Sequence, residues 1–265
     1  GKVKRAGLGL LLLLAGCTEP AAPADSGVSI ARPEPLQSGS TFLQPDTRAL
    51  QEDDFANPGM LWVERGEALF QEARGGHPAC ASCHEGEDTN LAGVAAHYPA
   101  IDDETGELMN IEARINACRT RHQSLEPLAY ESEDLLALTA YVAELSRGEP
   151  IEVDISGPAL PWFDKGRDYF FTRRGQLNLA CTQCHDDNWG KQLRGDTISQ
   201  GHGTGFPGYQ LEWQTFGSLQ RRLRDCDAGV RAEPLDYGSD EYLAVELYLA
   251  KRAESLPLES PGVRR

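Results

Sequence analysis

Apolar residues recur with helical spacing in only a few places, with long polar stretches between them. After Ser132, the residues Leu135, Leu138, Val142 and Leu145 follow at intervals of three or four. After Ser239, Leu243, Leu247 and Ala250 do the same, so each serine reads as the start of an amphipathic helix. A further helix is expected after Asn57-Pro58, with Asn as cap and Pro in the first turn. One apolar run, Leu8 to Ala15, is continuous rather than periodic, and Lys2, Lys4 and Arg5 precede it. It is too short to span a bilayer and reads as an export signal over residues 1–16. Residues 17–55 contain Pro20, Pro23, Pro33, Pro35 and Pro45 and no apolar period. This stretch is expected to form a flexible tether and an extended arm, with Phe42 and Leu43 as packing points.

The remaining chain is written twice. Trp62-Val-Glu-Arg-Gly66 matches Trp162-Phe-Asp-Lys-Gly166, and Cys80-Ala-Ser-Cys83-His84 matches Cys181-Thr-Gln-Cys184-His185. Arg114-Ile-Asn-Ala-Cys118 matches Arg222-Leu-Arg-Asp-Cys226, and Glu126-Pro-Leu-Ala-Tyr130 matches Glu233-Pro-Leu-Asp-Tyr237. The order is the same in both halves, so a domain-sized tandem duplication is expected. The expected boundaries are 56–150 for the first domain and 151–256 for the second, with 257–265 as a tail.

Composition sharpens this picture. The chain has 265 residues and a formal net charge of −16, which argues against nucleic acid as a partner. Seven cysteines, an odd number, exclude a complete intrachain disulfide set. Cys-x-x-Cys-His reads as c-type haem attachment: two thiols on one turn form thioethers, and the adjacent imidazole ligates iron. Cys80, Cys83, Cys181 and Cys184 would attach two haems, with His84 and His185 as proximal ligands. A zinc ribbon would draw both Cys pairs to one metal, and a thioredoxin-like dithiol is the other rival. The duplicated surroundings instead give each pair its own domain.

The sixth ligand is the more informative question. The two methionines are Met60 and Met109, so no methionine lies in the second half. There the candidates are His202 and Cys226; in the first half they are Met109, His97, His122 and Cys118. Only cysteine holds the corresponding place in both halves, which favours Cys118 and Cys226. The competing use of these two residues is a disulfide joining the halves.

Charge separates the two sites. Between His84 and Cys118, Glu85, Glu87, Asp88, Asp102, Asp103, Glu104, Glu107 and Glu112 face a single base, Arg114. Between His185 and Cys226, Lys191, Arg194, Arg221, Arg222 and Arg224 balance five acids. An anionic substrate is therefore expected at the second site. Arg222 precedes Cys226 by one helical turn and would share its face. Arg114 holds the same place in the first half, so position alone does not make Arg222 a substrate contact.

Three resemblances add to this reading. Leu14-Ala15-Gly16-Cys17 resembles a bacterial lipobox, which implies lipidation of Cys17 and a periplasmic protein held to the membrane by that anchor alone. Helix, Cys-x-x-Cys-His, loops and helix resembles the order of small cytochrome c domains, implying a mainly α fold of two tandem cytochrome c-like domains behind an extended arm. The two haem motifs with Cys118, Cys226 and Arg222 resemble the dihaem SoxA subunit of SoxAX cytochromes. That resemblance implies two covalent haem c groups and a monohaem SoxX partner. It further implies oxidative conjugation of thiosulfate to the arm cysteine of a SoxYZ carrier, with electrons passing to a downstream cytochrome c. Cys226 and Arg222 would be the catalytic pair. A thiosulfate dehydrogenase forming tetrathionate and a plain dihaem electron carrier are the rival activities.

Overall fold

Two helix crossings organise the molecule, and in each a glycine lets the backbones touch. The computed structural model describes residues 30–86 and 89–265. The expected signal segment, Cys17 and the first part of the tether lie outside the described residues, as do Glu87 and Asp88. The elements run α1 (Pro45–Glu52), α2 (Met60–Gln71), α3 (Ala81–His84), β1 (Ala100–Ile101), β2 (Leu108–Met109), α4 (Ile111–His122) and α5 (Glu133–Glu144). They continue with α6 (Leu160–Phe171), α7 (Cys181–His185), β3 (Gln192–Leu193), β4 (Asp196–Thr197), β5 (Gly208–Gln210), β6 (Thr215–Gly217), α8 (Leu219–Gly229), α9 (Asp240–Arg252) and β7 (Gly262–Arg264).

Helix α2 packs on α5, and α6 packs on α9. A Cβ on Gly66 would lie 2.0 Å from the carbonyl oxygen of Ala137, and one on Gly166 would lie 2.0 Å from that of Ala244. Any larger residue at either place would force the helices apart. Ser132 caps α5 by accepting from the Leu135 amide at 3.4 Å. Ser239 occupies the N-cap position of α9, but its hydroxyl makes no capping bond. Both closing helices bury more than the single apolar stripe that their spacing predicts. On α5 the buried run is Leu135 to Ala140, and on α9 it is Tyr242 to Leu249. Each is covered by its partner helix and by segments of the other half, so little of its circumference meets water.

Three expectations need correction. Helix α2 begins at Met60 rather than directly after Asn57. The Asn57 side chain instead holds a turn, accepting from the Gly59 amide at 2.9 Å and donating to Pro261 O at 2.9 Å. The arm is not extended throughout: Pro45 sits in the first turn of α1, and the helix packs on β7. Residues 257–265, expected as a tail, are built into the fold. β7 pairs in parallel with β5, which pairs antiparallel with β6, and Val263 is fully buried.

The halves share their cores. Trp62 of α2 stacks on Phe216 of β6 at 5.2 Å between ring centroids. Tyr130 and Tyr237, the matching ends of one repeated motif, stack on each other at 6.1 Å. Phe42 of the arm meets Trp189 edge-on at 6.0 Å. Among the described residues, no helix is long and apolar enough to cross a membrane.

Candidate functional site

Each Cys-x-x-Cys-His segment folds into a short helix, α3 or α7, just after the loop that leaves α2 or α6. The helical turn puts both thiols and the imidazole within a few residues of one another, as covalent haem attachment needs. His185 faces the Ser199 carbonyl through Nδ1 at 2.8 Å, and His84 faces the Thr89 carbonyl through Nδ1 at 3.2 Å. A carbonyl only accepts, so Nδ1 carries the proton and Nε2 keeps its lone pair for iron. Burial lowers the pKa of His185, which keeps the ring neutral and able to ligate. Gly201 lies against that ring: a Cβ there would come 2.7 Å from the imidazole Cγ, and φ is +76°. These features fit a proximal haem ligand held in one orientation.

Cys118 lies on α4 and Cys226 on α8. Cys118 lies in the electrostatic field of Cys80 and Cys83, and Cys226 in that of Cys184. Each therefore sits beside the motif of its own half. No disulfide joins any of the six described cysteines, so the alternative of a Cys118–Cys226 disulfide is not present. Burial raises the pKa of Cys80, Cys118 and Cys184 and pushes that of Cys181 to about 11. Cys226 keeps an open approach from solvent, yet the protein packed around its thiol raises its pKa too. Arg222 opposes that rise.

The remaining candidate ligands have other roles or lie apart. His97 is exposed and bonds Glu152 O through Nδ1 at 2.8 Å. His122 is exposed in the last turn of α4, and Met109 pairs with Ala100 in the β1–β2 hairpin. His202, a candidate ligand by sequence, lies in a loop and is buried, and burial lowers its pKa to about 3. Its Nε2 donates to Gln200 Oε1 at 3.2 Å. The same oxygen accepts from the Gln37 amide, and Gln200 Nε2 donates to Pro35 O, both at 2.8 Å. His202 thus helps pin the arm.

The two matching arginines differ in what they touch. Arg114 donates to Tyr98 Oη at 3.0 Å and to Asp102 Oδ1 at 2.8 Å. Arg121 closes on the same carboxylate at 2.8 Å, and Asp102 is almost fully buried. Bonds from Arg121, Thr105 and Arg114 hold the Asp102 carboxyl well below the usual carboxylate range. Among the described residues, the Arg222 side chain has neither an acidic partner nor a hydrogen bond, and its charge is felt at both Cys226 and His185. Its neighbours are engaged: Arg221 lies over the Trp213 ring at 4.4 Å, and Arg224 lies over Tyr237 at 4.6 Å while donating to Leu235 O. Lys191 and Arg194 are exposed on and beside the β3–β4 hairpin.

Periodicity did not reveal Arg252. It lies in the last turn of α9, where a base reads as solvated, yet its side chain is fully buried. It donates to Asp186 Oδ1 at 2.6 Å, directly after His185, and to Ala31 O in the arm. The only sequence signal was the acid following the haem motif.

The family described as SoxA/TsdA, cytochrome c domain, matches residues 65–151. The L-cysteine S-thiosulfotransferase subunit SoxA of Pseudaminobacter salicylatoxidans is 40% identical over 230 residues, covering 86% of this chain and 80% of the relative. The subunit of the same name from Allochromatium vinosum is 32% identical over 280 residues, covering 96% of each. The crystal structure of SoxXA from P. pantotrophus superposes with a TM-score of 0.81 at 38% identity, covering 87% of each chain.

Proposed function

The chain belongs to the SoxA family of L-cysteine S-thiosulfotransferase subunits, and from that premise we propose how its own residues carry the reaction. The observation that carries the proposal is the free guanidinium of Arg222 beside Cys226, against the neutralised Arg114 beside Cys118. An unpaired planar fork next to a sulfur suits a thiosulfate anion, whose sulfonate oxygens accept two parallel bonds. Lys191 and Arg194 add positive charge at the approach. The sulfane end of the anion then lies at Cys226, where a soft sulfur is a better neighbour than imidazole.

The reaction joins the sulfane sulfur of thiosulfate to the thiol of the SoxYZ carrier arm. One S–H bond breaks, one S–S bond forms, and one proton and two electrons leave. Haem c, when bound, supplies the electron acceptor. Two such groups, one in each of two cytochrome c-like domains related by duplication, account for both motifs. The paired Gly66 and Gly166 crossings support that duplication. His84 and His185 would hold the proximal positions, and Cys118 and Cys226 the distal ones. SoxX is the partner that receives electrons before a downstream cytochrome c. Cys17 would carry a lipid that keeps the protein on the periplasmic side of a membrane.

The test is purified heterodimer incubated with thiosulfate, with and without carrier protein. The expected result is a thiosulfonate adduct on the carrier cysteine and no tetrathionate from thiosulfate alone. Tetrathionate formed without carrier would contradict the proposal and favour a dehydrogenase.

A further inference from the structure

The residue after each distal cysteine differs between the halves. Arg119 follows Cys118 and donates to the Glu126 carbonyl at an exposed surface. Asp227 follows Cys226 and is only 4% exposed. Its Oδ2 accepts from the hydroxyls of Tyr169 at 2.6 Å and Tyr242 at 2.8 Å, and Arg174 lies 3.5 Å from Oδ1. Arg174 also stacks over the Tyr169 ring at 3.6 Å and reaches Cys181 Sγ at 3.8 Å. Its second nitrogen donates to the Tyr169 carbonyl. One carboxylate therefore ties α8 to α6, to α9 and to the thiol side of α7.

Register along the repeats shows that this clamp belongs to the second half. Tyr169 corresponds to Leu69 and Tyr242 to Leu135. Arg174 corresponds to Arg74, which pairs with Glu72 and Asp134 at the surface. Burying a carboxylate is costly unless bonds replace its water, and packed apolar residues would hold the helices at no such cost. The first half uses apolar residues. The second carries the buried charge at the residue directly after Cys226.

We propose that Asp227 is the positioning residue of Cys226, its clamped carboxylate fixing the turn of α8 that presents the cysteine sulfur to the second haem. This rests on Cys226 being the distal ligand there. Both tyrosines are held as donors, since burial and then the bond to Asp227 raise their pKa.

The experiment compares haem-loaded heterodimers carrying Asp227→Asn, Tyr169→Phe with Tyr242→Phe, Arg119→Ala, and Cys226→Met. The EPR spectrum of the oxidised protein, the second haem's potential and the carrier conjugation rate are measured. The double tyrosine variant keeps the carboxylate and covers the case in which Asp227→Asn does not fold. Loss of an outer-shell partner is expected to lower kcat by about tenfold to a hundredfold. KM for thiosulfate should change little, because Arg222 is untouched. The thiolate-type signal of the second haem should split or broaden, with a shifted potential, and Arg119→Ala should leave it unchanged. Wild-type spectra and potential in both clamp variants, with the signal lost in Cys226→Met, would overturn the positioning role alone. A signal unchanged in Cys226→Met would instead overturn the ligand assignment beneath it.

Discussion

Arg114 and Arg222 show how much of a residue's role its neighbours decide. Both precede a cysteine by one helical turn, and the repeat made that visible from sequence. Whether the guanidinium is free was not visible. Asp102, which neutralises Arg114, and Tyr98, which accepts a hydrogen bond from it, come from the segment before α4 and meet it only through folding. The cysteine motif was legible because covalent haem attachment fixes residue type and spacing together. Replacing Arg222 by Met should lower kcat/KM for thiosulfate by about tenfold to a hundredfold, the range for a hydrogen bond to a charged group. Steady-state conjugation assays at varied thiosulfate would show it, chiefly as a raised KM. Replacing Arg114 should instead lower the melting temperature, since it leaves Asp102 buried with less compensation.

At the level of elements, α5 and α9 were legible from their serines and their spacing; the repeat matched Gly66 to Gly166 but did not show that helices cross there. α1 and β7 were not legible. Eight polar-rich residues give α1 no stripe, and β7 is three residues whose pairing partner lies about fifty residues earlier. The meeting of α4 and α9 also escaped the sequence. There Glu112 and Glu246 are both buried and line a cavity of about 90 Å³ between the halves. Glu246 accepts from Gln220 at 2.7 Å and Asn110 at 3.2 Å, and Tyr130 donates to Asn110. Burial raises both carboxyl pKa values. Glu112 raises that of Glu246 further, and nearby Glu131 raises that of Glu112. A carboxyl with a raised folded pKa keeps its proton in the folded state after the unfolded chain has lost it. Stability is therefore full below the ordinary carboxylate range and falls as pH rises towards the raised value. Glu246→Gln keeps the acceptor oxygen and removes the titration. Between about pH 5 and about pH 9, the melting temperature of the variant should decline less than that of the wild type.

On the scale of the whole molecule, the two sets of matching motifs were legible, but the dependence of each half on the other was not. The expected boundary at 150/151 separates the repeats by sequence. It does not separate their cores, because Trp62 packs on Phe216 and the arm is bound by Gln200. Such contacts leave no local pattern, since each partner looks like an ordinary apolar or polar residue in its own segment. Charge was legible only in outline. The acids of the first half are partly engaged internally, as Asp102 is, and among the described residues the matching arginines carry the contrast, Arg114 paired and Arg222 unpaired. The central claim is that a cysteine ligates each haem and that Cys226 marks the reacting one. EPR of the oxidised, haem-loaded protein tests it most directly when wild type, Cys118→Met and Cys226→Met are compared and their conjugation rates are measured in parallel. The account predicts two low-spin thiolate-type signals in the wild type, one lost in each variant, with conjugation abolished only by Cys226→Met. A Cys226→Met protein that keeps both signals, or conjugates at the wild-type rate, would contradict it.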